Sequence, residues 1–245
     1  MRRAPLALLA VALLAGSSGG CAESAKRTQS KPTGGTALRY LALGDSYTIG
    51  EGVEPSERWP LQLAKLLAAD GVPLASEPEI VARTGWTTDE LAEAIAEAKP
   101  QGPYDLVTLL IGVNDQYRGR KVEAYRPEFQ RLLETAIGFA GNRPERVVVL
   151  SIPDWGVTSF GVHSGRSLPQ IALEIDAFNA AARAETEKAG AAFVDVTAET
   201  RAAGRAEGEL VGDGLHPSGR QYERWAEAAL PFARRALGGG GGRVK

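Results

Sequence analysis

Between residues 38 and 237 the chain alternates short unbroken apolar runs with longer stretches whose apolar positions recur every three or four residues. The runs at 40–43, 79–82, 106–111, 147–151 and 192–196 have the length and β-branched content of strands. Those at 106–111 and 147–151 are apolar enough to be buried on both faces, as in a parallel sheet. The intervening stretches carry helical stripes: Trp59, Leu63, Leu66 and Leu67; Leu91, Ile95 and Ala98; Tyr125, Phe129, Leu132, Leu133 and Ala136; and Ile171, Ile175 and Phe178. Thr87 with Glu90, and Ser218 with Gln221, have capping-box spacing and predict two helix starts. Alternating strands and helices predict an α/β fold, a three-layer α/β/α sandwich on a flavodoxin-like parallel sheet of about five strands. Ligands of such sheets gather at the carboxyl ends of the strands.

The ends of the chain read differently. Met1-Arg2-Arg3 is basic, residues 6–15 are apolar and residues 16–20 are small, the layout of a bacterial export signal over 1–21. The apolar run is too short to span a bilayer. Cys21, the one cysteine in the chain, follows directly, as the acylated cysteine does in lipoprotein signals, and so predicts a membrane anchor outside the cytoplasm. Ser18 stands where such signals usually carry an aliphatic residue, which leaves plain secretion as the alternative. Residues 22–37 are polar and read as a flexible tether, 38–237 as one domain, and 238–245 as a disordered glycine-rich tail. With 28 Lys and Arg against 30 Asp and Glu, the chain lacks the footprint of a nucleic-acid binder. Its densest basic cluster is Arg118-Gly119-Arg120-Lys121.

Four islands carry the chemistry: Gly44-Asp45-Ser46 after the first strand, Thr84-Gly85-Trp86 after the second, Gly112-Val113-Asn114-Asp115 after the third, and Asp213-Gly214-Leu215-His216 near the carboxyl end. They supply a hydroxyl nucleophile, a glycine amide, a side-chain amide, an imidazole and a carboxylate, the inventory of acyl transfer. Only two histidines exist, and His163 lies in a Gly/Ser-rich loop, which leaves His216 as the base. Asp213, three residues earlier, can accept the Nδ1 proton and free Nε2 for the serine. The G-x-S-x-G elbow has a literal match at 16–20, but that lies in the leader. No Walker A sequence and no paired Cys or His spacing for zinc is present.

The same four islands, in this order, resemble the blocks of the SGNH hydrolases, also called the GDSL lipase/esterase family. The resemblance implies a serine esterase that forms an acyl-enzyme on Ser46, with His216 and Asp213 completing a triad. It also implies an oxyanion hole from the backbone N–H of Ser46, the backbone N–H of Gly85 and the side chain of Asn114, with Asp115 bracing its loop. No metal or organic cofactor is implied. The substrate would be a small-molecule, lipid or carbohydrate ester, of lipase, lysophospholipase, thioesterase or O-deacetylase type, handled by a monomer that meets the membrane through Cys21. Trp86, Tyr117 and Trp155 are expected to wall the substrate pocket. The alternative is a catalytically idle exported binding protein of the same fold.

Overall fold

The computed structural model describes residues 38–238; the expected export signal with Cys21, the tether, and the tail beyond 238 lie outside the described residues. Five parallel strands, β1 (Tyr40–Gly44), β2 (Glu79–Ala82), β3 (Leu106–Leu110), β4 (Val147–Leu150) and β5 (Ala192–Val194), form one sheet in the order β2-β1-β3-β4-β5. All five expected runs are strands. β1, β3 and β4 are buried at every position, which is why their sequences are continuously apolar rather than alternating.

The expected stripes lie on helices α2 (Trp59–Ala69), α3 (Thr88–Ala98), α5 (Val122–Phe139) and α7 (Leu168–Lys188). Helix α9 (Gly219–Ala236) packs against α2 and reaches β4 and β5, while α3, α5 and α7 pack along the opposite face of the sheet. A buried cluster running from Tyr40 to Ala236 joins both layers to the sheet. Ala98 departs from the expected stripe: it is exposed, and Ala94, one turn earlier, packs against the core instead. Both predicted helix starts form, with Glu90 accepting the Thr87 N–H at 2.9 Å and Ser218 accepting from Gln221.

Among the described residues there are also four short α-helices: α1 (Ser46–Ile49), α4 (Val113–Tyr117), α6 (Ser159–His163) and α8 (Thr197–Ala203). Helices α1 and α4 begin directly beyond β1 and β3, and the 83–87 turn follows β2. The neighbouring strands β2, β1 and β3 therefore deliver three of the four islands to the carboxyl edge of the sheet.

Candidate active site

At the end of β1 the chain turns from strand to helix within one residue. A side chain on Gly44 would meet Thr48 Oγ1 at 2.1 Å and the Leu110 carbonyl at 2.5 Å, so only glycine lets β1 run this close to β3 and α1. Asp45 is the N-cap of α1: its Oδ1 accepts the Tyr47 N–H at 3.0 Å, while its backbone carbonyl accepts from Thr48 and Ile49. The capping task thus falls to Asp45, and the Ser46 hydroxyl has no partner among the described residues. The Ser46 N–H, at the first helical position, is also unbonded, as expected of the open end of a helix.

His216 reaches the same region from the other end of the chain. Leu210 and Pro217 form an isolated bridge, and the Val211 N–H donates to the His216 carbonyl at 2.9 Å, closing residues 210–217 into a tight loop. Inside it the Asp213 Oδ1 accepts the backbone N–H groups of Leu215 and His216 at 2.8 and 3.0 Å, and Oδ2 lies 2.6 Å from His216 Nδ1. Burial works to raise the Asp213 carboxyl, but the bonds from His216 and Leu215 outweigh it and hold the group below its usual value. An ionised carboxylate can only accept, so the proton of that bond sits on Nδ1, and Nε2 is the ring nitrogen left to exchange a proton with the cleft. His216 is 7% exposed, and its ring packs against the Tyr47 ring at 5.4 Å between centroids.

The third and fourth contributions come from the 83–87 turn and α4. Gly85 has φ of +86°, and its N–H is unpartnered among the described residues. Asn114 Nδ2 donates to the Trp86 carbonyl at 2.9 Å, which identifies that atom as the nitrogen and aims its second hydrogen elsewhere. Asp115, fully buried, accepts from the Thr88 N–H at 3.1 Å and from Thr88 Oγ1 at 2.8 Å, tying α4 to the start of α3. It braces the loop, as expected.

These pieces meet in one cleft of about 180 Å³ lined by Ser46, Tyr47, Thr84, Gly85, Val113, Asn114, Tyr117, Trp155, Phe160, Leu215 and His216. Two unbonded backbone N–H groups, the Asn114 amide with its second hydrogen free, a hydroxyl, an imidazole acceptor and an apolar wall therefore share a single space. No hydrogen bond joins the Ser46 hydroxyl to His216 among the described residues; such bonds are commonly loose in ligand-free enzymes and tighten around substrate.

Of the three aromatic residues expected to wall the pocket, Tyr117 and Trp155 line the cleft and Trp86 does not. The turn at Gly85 carries the Trp86 side chain onto the core, and only its carbonyl serves the site, as the acceptor for Asn114. Phe160 on α6 takes the place expected of Trp86, with its ring centroid 6.2 Å from Tyr117 and 6.0 Å from Trp155. Trp155 is fixed through its Nε1, which donates to Gln116 Oε1 at 2.7 Å. His163 lies at the end of α6, exposed and outside the cleft lining, with Nδ1 at 2.7 Å from the Ser159 carbonyl.

One acidic trio among the described residues, Asp89, Asp115 and Glu128, has the spacing to hold a cation. Arg120 already fills that role, with Nη1 at 2.8, 3.1 and 3.2 Å from the three carboxylates. Both arginines of the 118–121 cluster are accordingly engaged, Arg120 here and Arg118 on Gly85 and Glu90.

The family model for the GDSL-like lipase/acylhydrolase family matches residues 42–224, most of the chain. The chain belongs to that family. As a GDSL-type enzyme it is an ester hydrolase. Among solved structures it is similar to TesA, at 22% identity and a TM-score of 0.61 over 82% of this chain and 100% of that one. It is also similar to the acetylxylan esterase Axe2 of Geobacillus stearothermophilus, at 18% identity and a TM-score of 0.60 over 81% and 95%. A lipase/acylhydrolase from Enterococcus faecalis shares 22% identity with a TM-score of 0.56 over 79% and 94%. At these identities the likeness is one of fold. No curated protein matches the chain's sequence.

Proposed function

We propose that this GDSL-type hydrolase cleaves small carboxylic esters through an acyl-enzyme on Ser46. The observation that carries the reading is the meeting, in one cleft, of a serine hydroxyl without a partner, an imidazole whose Nδ1 is held by an ionised carboxylate, the unbonded N–H groups of Ser46 and Gly85, and the Asn114 amide, one hydrogen of which is left free by its bond to Trp86. The Ser46 Oγ attacks the ester carbonyl while His216 Nε2 takes its proton. The carbonyl oxygen becomes an oxyanion that accepts from the Ser46 N–H, the Gly85 N–H and Asn114 Nδ2. The imidazolium returns the proton to the leaving alcohol as the C–O bond breaks. Water then enters, gives a proton to Nε2, attacks the acyl carbon and expels Ser46, which recovers its proton as the acid leaves. Asp213 stays ionised throughout and stabilises the charged ring.

The cleft wall of Val113, Tyr117, Trp155, Phe160 and Leu215 supports an apolar acyl or alcohol portion of modest size. Acetyl esters on carbohydrate, the substrate class for which Axe2 is named, are the second reading, supported by the exposed Tyr117 ring as a platform for a sugar face. An acyl-chain-length series of aryl esters, run beside acetylated xylo-oligosaccharides with wild type and Ser46→Ala, tests both. Loss of all turnover in the variant supports the serine mechanism, and the better substrate series decides between the readings.

We also propose that the enzyme is exported and anchored through acylated Cys21, on the strength of the basic, apolar and small-residue order of residues 1–21. The mass of the mature amino terminus from the native host tests this: an unmodified terminus at or after Cys21 contradicts the anchor and leaves the chemistry untouched.

A further inference from the structure

The three donors are not equally secured. The Ser46 N–H is fixed by helix α1, and the Asn114 amide by its bond to the Trp86 carbonyl. The Gly85 N–H belongs to the Thr84–Gly85 peptide in a turn outside any helix or strand, next to a glycine with positive φ, where the backbone is freest to rotate.

The groups on either side of that peptide are held by charged side chains. Upstream, Thr84 Oγ1 donates to Glu51 Oε2. Downstream, the Gly85 carbonyl accepts from Arg118 Nη2 at 2.7 Å, and Arg118 Nη1 is in turn held by Glu90 Oε1 at 3.1 Å. The backbones of the two anchors are themselves tied to the other two donor residues. The Glu51 N–H donates to the Ser46 carbonyl at 3.0 Å, and the Arg118 N–H donates to the Asn114 carbonyl at 3.0 Å. A continuous chain of bonds therefore runs from Ser46 through Glu51 and Thr84 to Gly85, and from Gly85 through Arg118 to Asn114.

We propose that Glu51 and Arg118 are positioning residues of the oxyanion hole, which hold the Gly85 N–H in register with the donors of Ser46 and Asn114. The assignment rests on the oxyanion-hole reading of this cleft. Arg118 is 46% exposed at its side chain and its ion pair with Glu90 adds little to stability in water, while Glu51 is exposed and its side chain holds a single threonine hydroxyl, so fold maintenance is a poor account of both. Positioning needs little energy. A donor that wanders by a fraction of an ångström in the transition state forfeits much of its effect on rate.

The test compares kcat, KM and melting temperature for Arg118→Ala, Arg118→Lys, Glu51→Ala and Glu51→Gln, alongside Ser46→Ala and Asn114→Ala, on one short aryl ester. Arg118→Ala and Glu51→Ala should each lower kcat about tenfold with KM within about twofold, and the melting temperature should move by no more than about two degrees. Glu51→Gln keeps an acceptor for Thr84 and should recover most of the rate. Arg118→Lys, which keeps one donor and loses the fork, should recover part. Wild-type kcat in both alanine variants, beside an inactive Ser46→Ala and a slow Asn114→Ala, would overturn the positioning role and leave the oxyanion hole standing. Unimpaired turnover in Ser46→Ala and Asn114→Ala would overturn both. A fall in kcat matched by a large fall in melting temperature, with no recovery in the conservative variants, would make the pair structural and also overturn the inference.

Discussion

The Asp213 carboxylate holds His216 twice, once at the ring, where Oδ2 lies 2.6 Å from Nδ1, and once at the backbone, where Oδ1 accepts the His216 N–H at 3.0 Å. One side chain thus sets both the tautomer of the imidazole and the shape of the loop that presents it. Asp213→Asn should separate these effects. An asparagine can accept the backbone N–H groups through Oδ1, but its amide donor opposes Nδ1–H and favours the wrong tautomer. Turnover should fall by roughly three to four orders of magnitude while circular dichroism and melting temperature stay close to wild type. Near wild-type turnover would make Asp213 a loop brace alone.

Asn114→Ala removes the proposed side-chain donor of the oxyanion hole and also releases the Trp86 carbonyl. Turnover should fall by roughly two to three orders of magnitude, with KM changing far less, because the oxyanion exists only on the way to and from the acyl-enzyme. Asn114→Asp should be no better, since a carboxylate would face the oxyanion without donating to it. Steady-state kinetics on a saturating ester checks this; a raised KM with unchanged kcat would identify Asn114 as a ground-state binding residue.

The strand pattern is legible in the sequence because β1, β3 and β4 are buried at every position, which their unbroken apolar composition reflects. Ser46, Asn114 and His216 are legible because each stands in a short motif at the end of such a run or before a capped helix. Phe160 carries no such signal: α6 spans only Ser159–His163 in a Gly/Ser-rich stretch, too short to show a stripe. Trp86 departs from its expected place because the direction of its side chain depends on the φ of +86° at Gly85, which residue types alone do not state. Arg118 and Arg120 read as an exposed cluster because their partners, Gly85, Glu90, Asp89 and Glu128, are brought to them only by the fold.

Asp45 carries no sequence signal of unusual titration, yet the fold gives it one. It is fully buried, its Oδ2 has no partner among the described residues, and burial pushes its carboxyl up to about 8, with the Asp115 charge adding to the rise against the Tyr47 N–H bond. In the unfolded chain it titrates at about 3.9. Between these values the folded state binds the extra proton, so stability falls as pH rises. The contribution is full below about pH 4 and is lost as pH passes through the folded value. Asp45→Asn keeps the acceptor for Tyr47 and has no charge to bury. Its melting temperature relative to wild type should rise steadily from about pH 4 to about pH 9, and a difference that does not change with pH would contradict a neutral buried Asp45.

Phe160 closes the aromatic side of the cleft with Tyr117 and Trp155. Phe160→Ala should raise KM for an aryl butanoate about tenfold while changing kcat far less, since it removes apolar contact made equally in ground and transition states. The same change should be nearly silent for an acetyl ester of a small alcohol. Equal losses on both substrates would place Phe160 outside the binding wall.

The central claim is a covalent intermediate on Ser46, and labelling the nucleophile that forms it tests the claim most directly. Wild-type protein treated with an activated aryl phosphonate ester should gain one phosphonyl group by intact mass, located by peptide mapping to the peptide containing Ser46, with activity lost in step with labelling. Ser46→Ala should gain none. Labelling at another residue, or full labelling of the Ser46→Ala variant with continued ester turnover, would contradict the account.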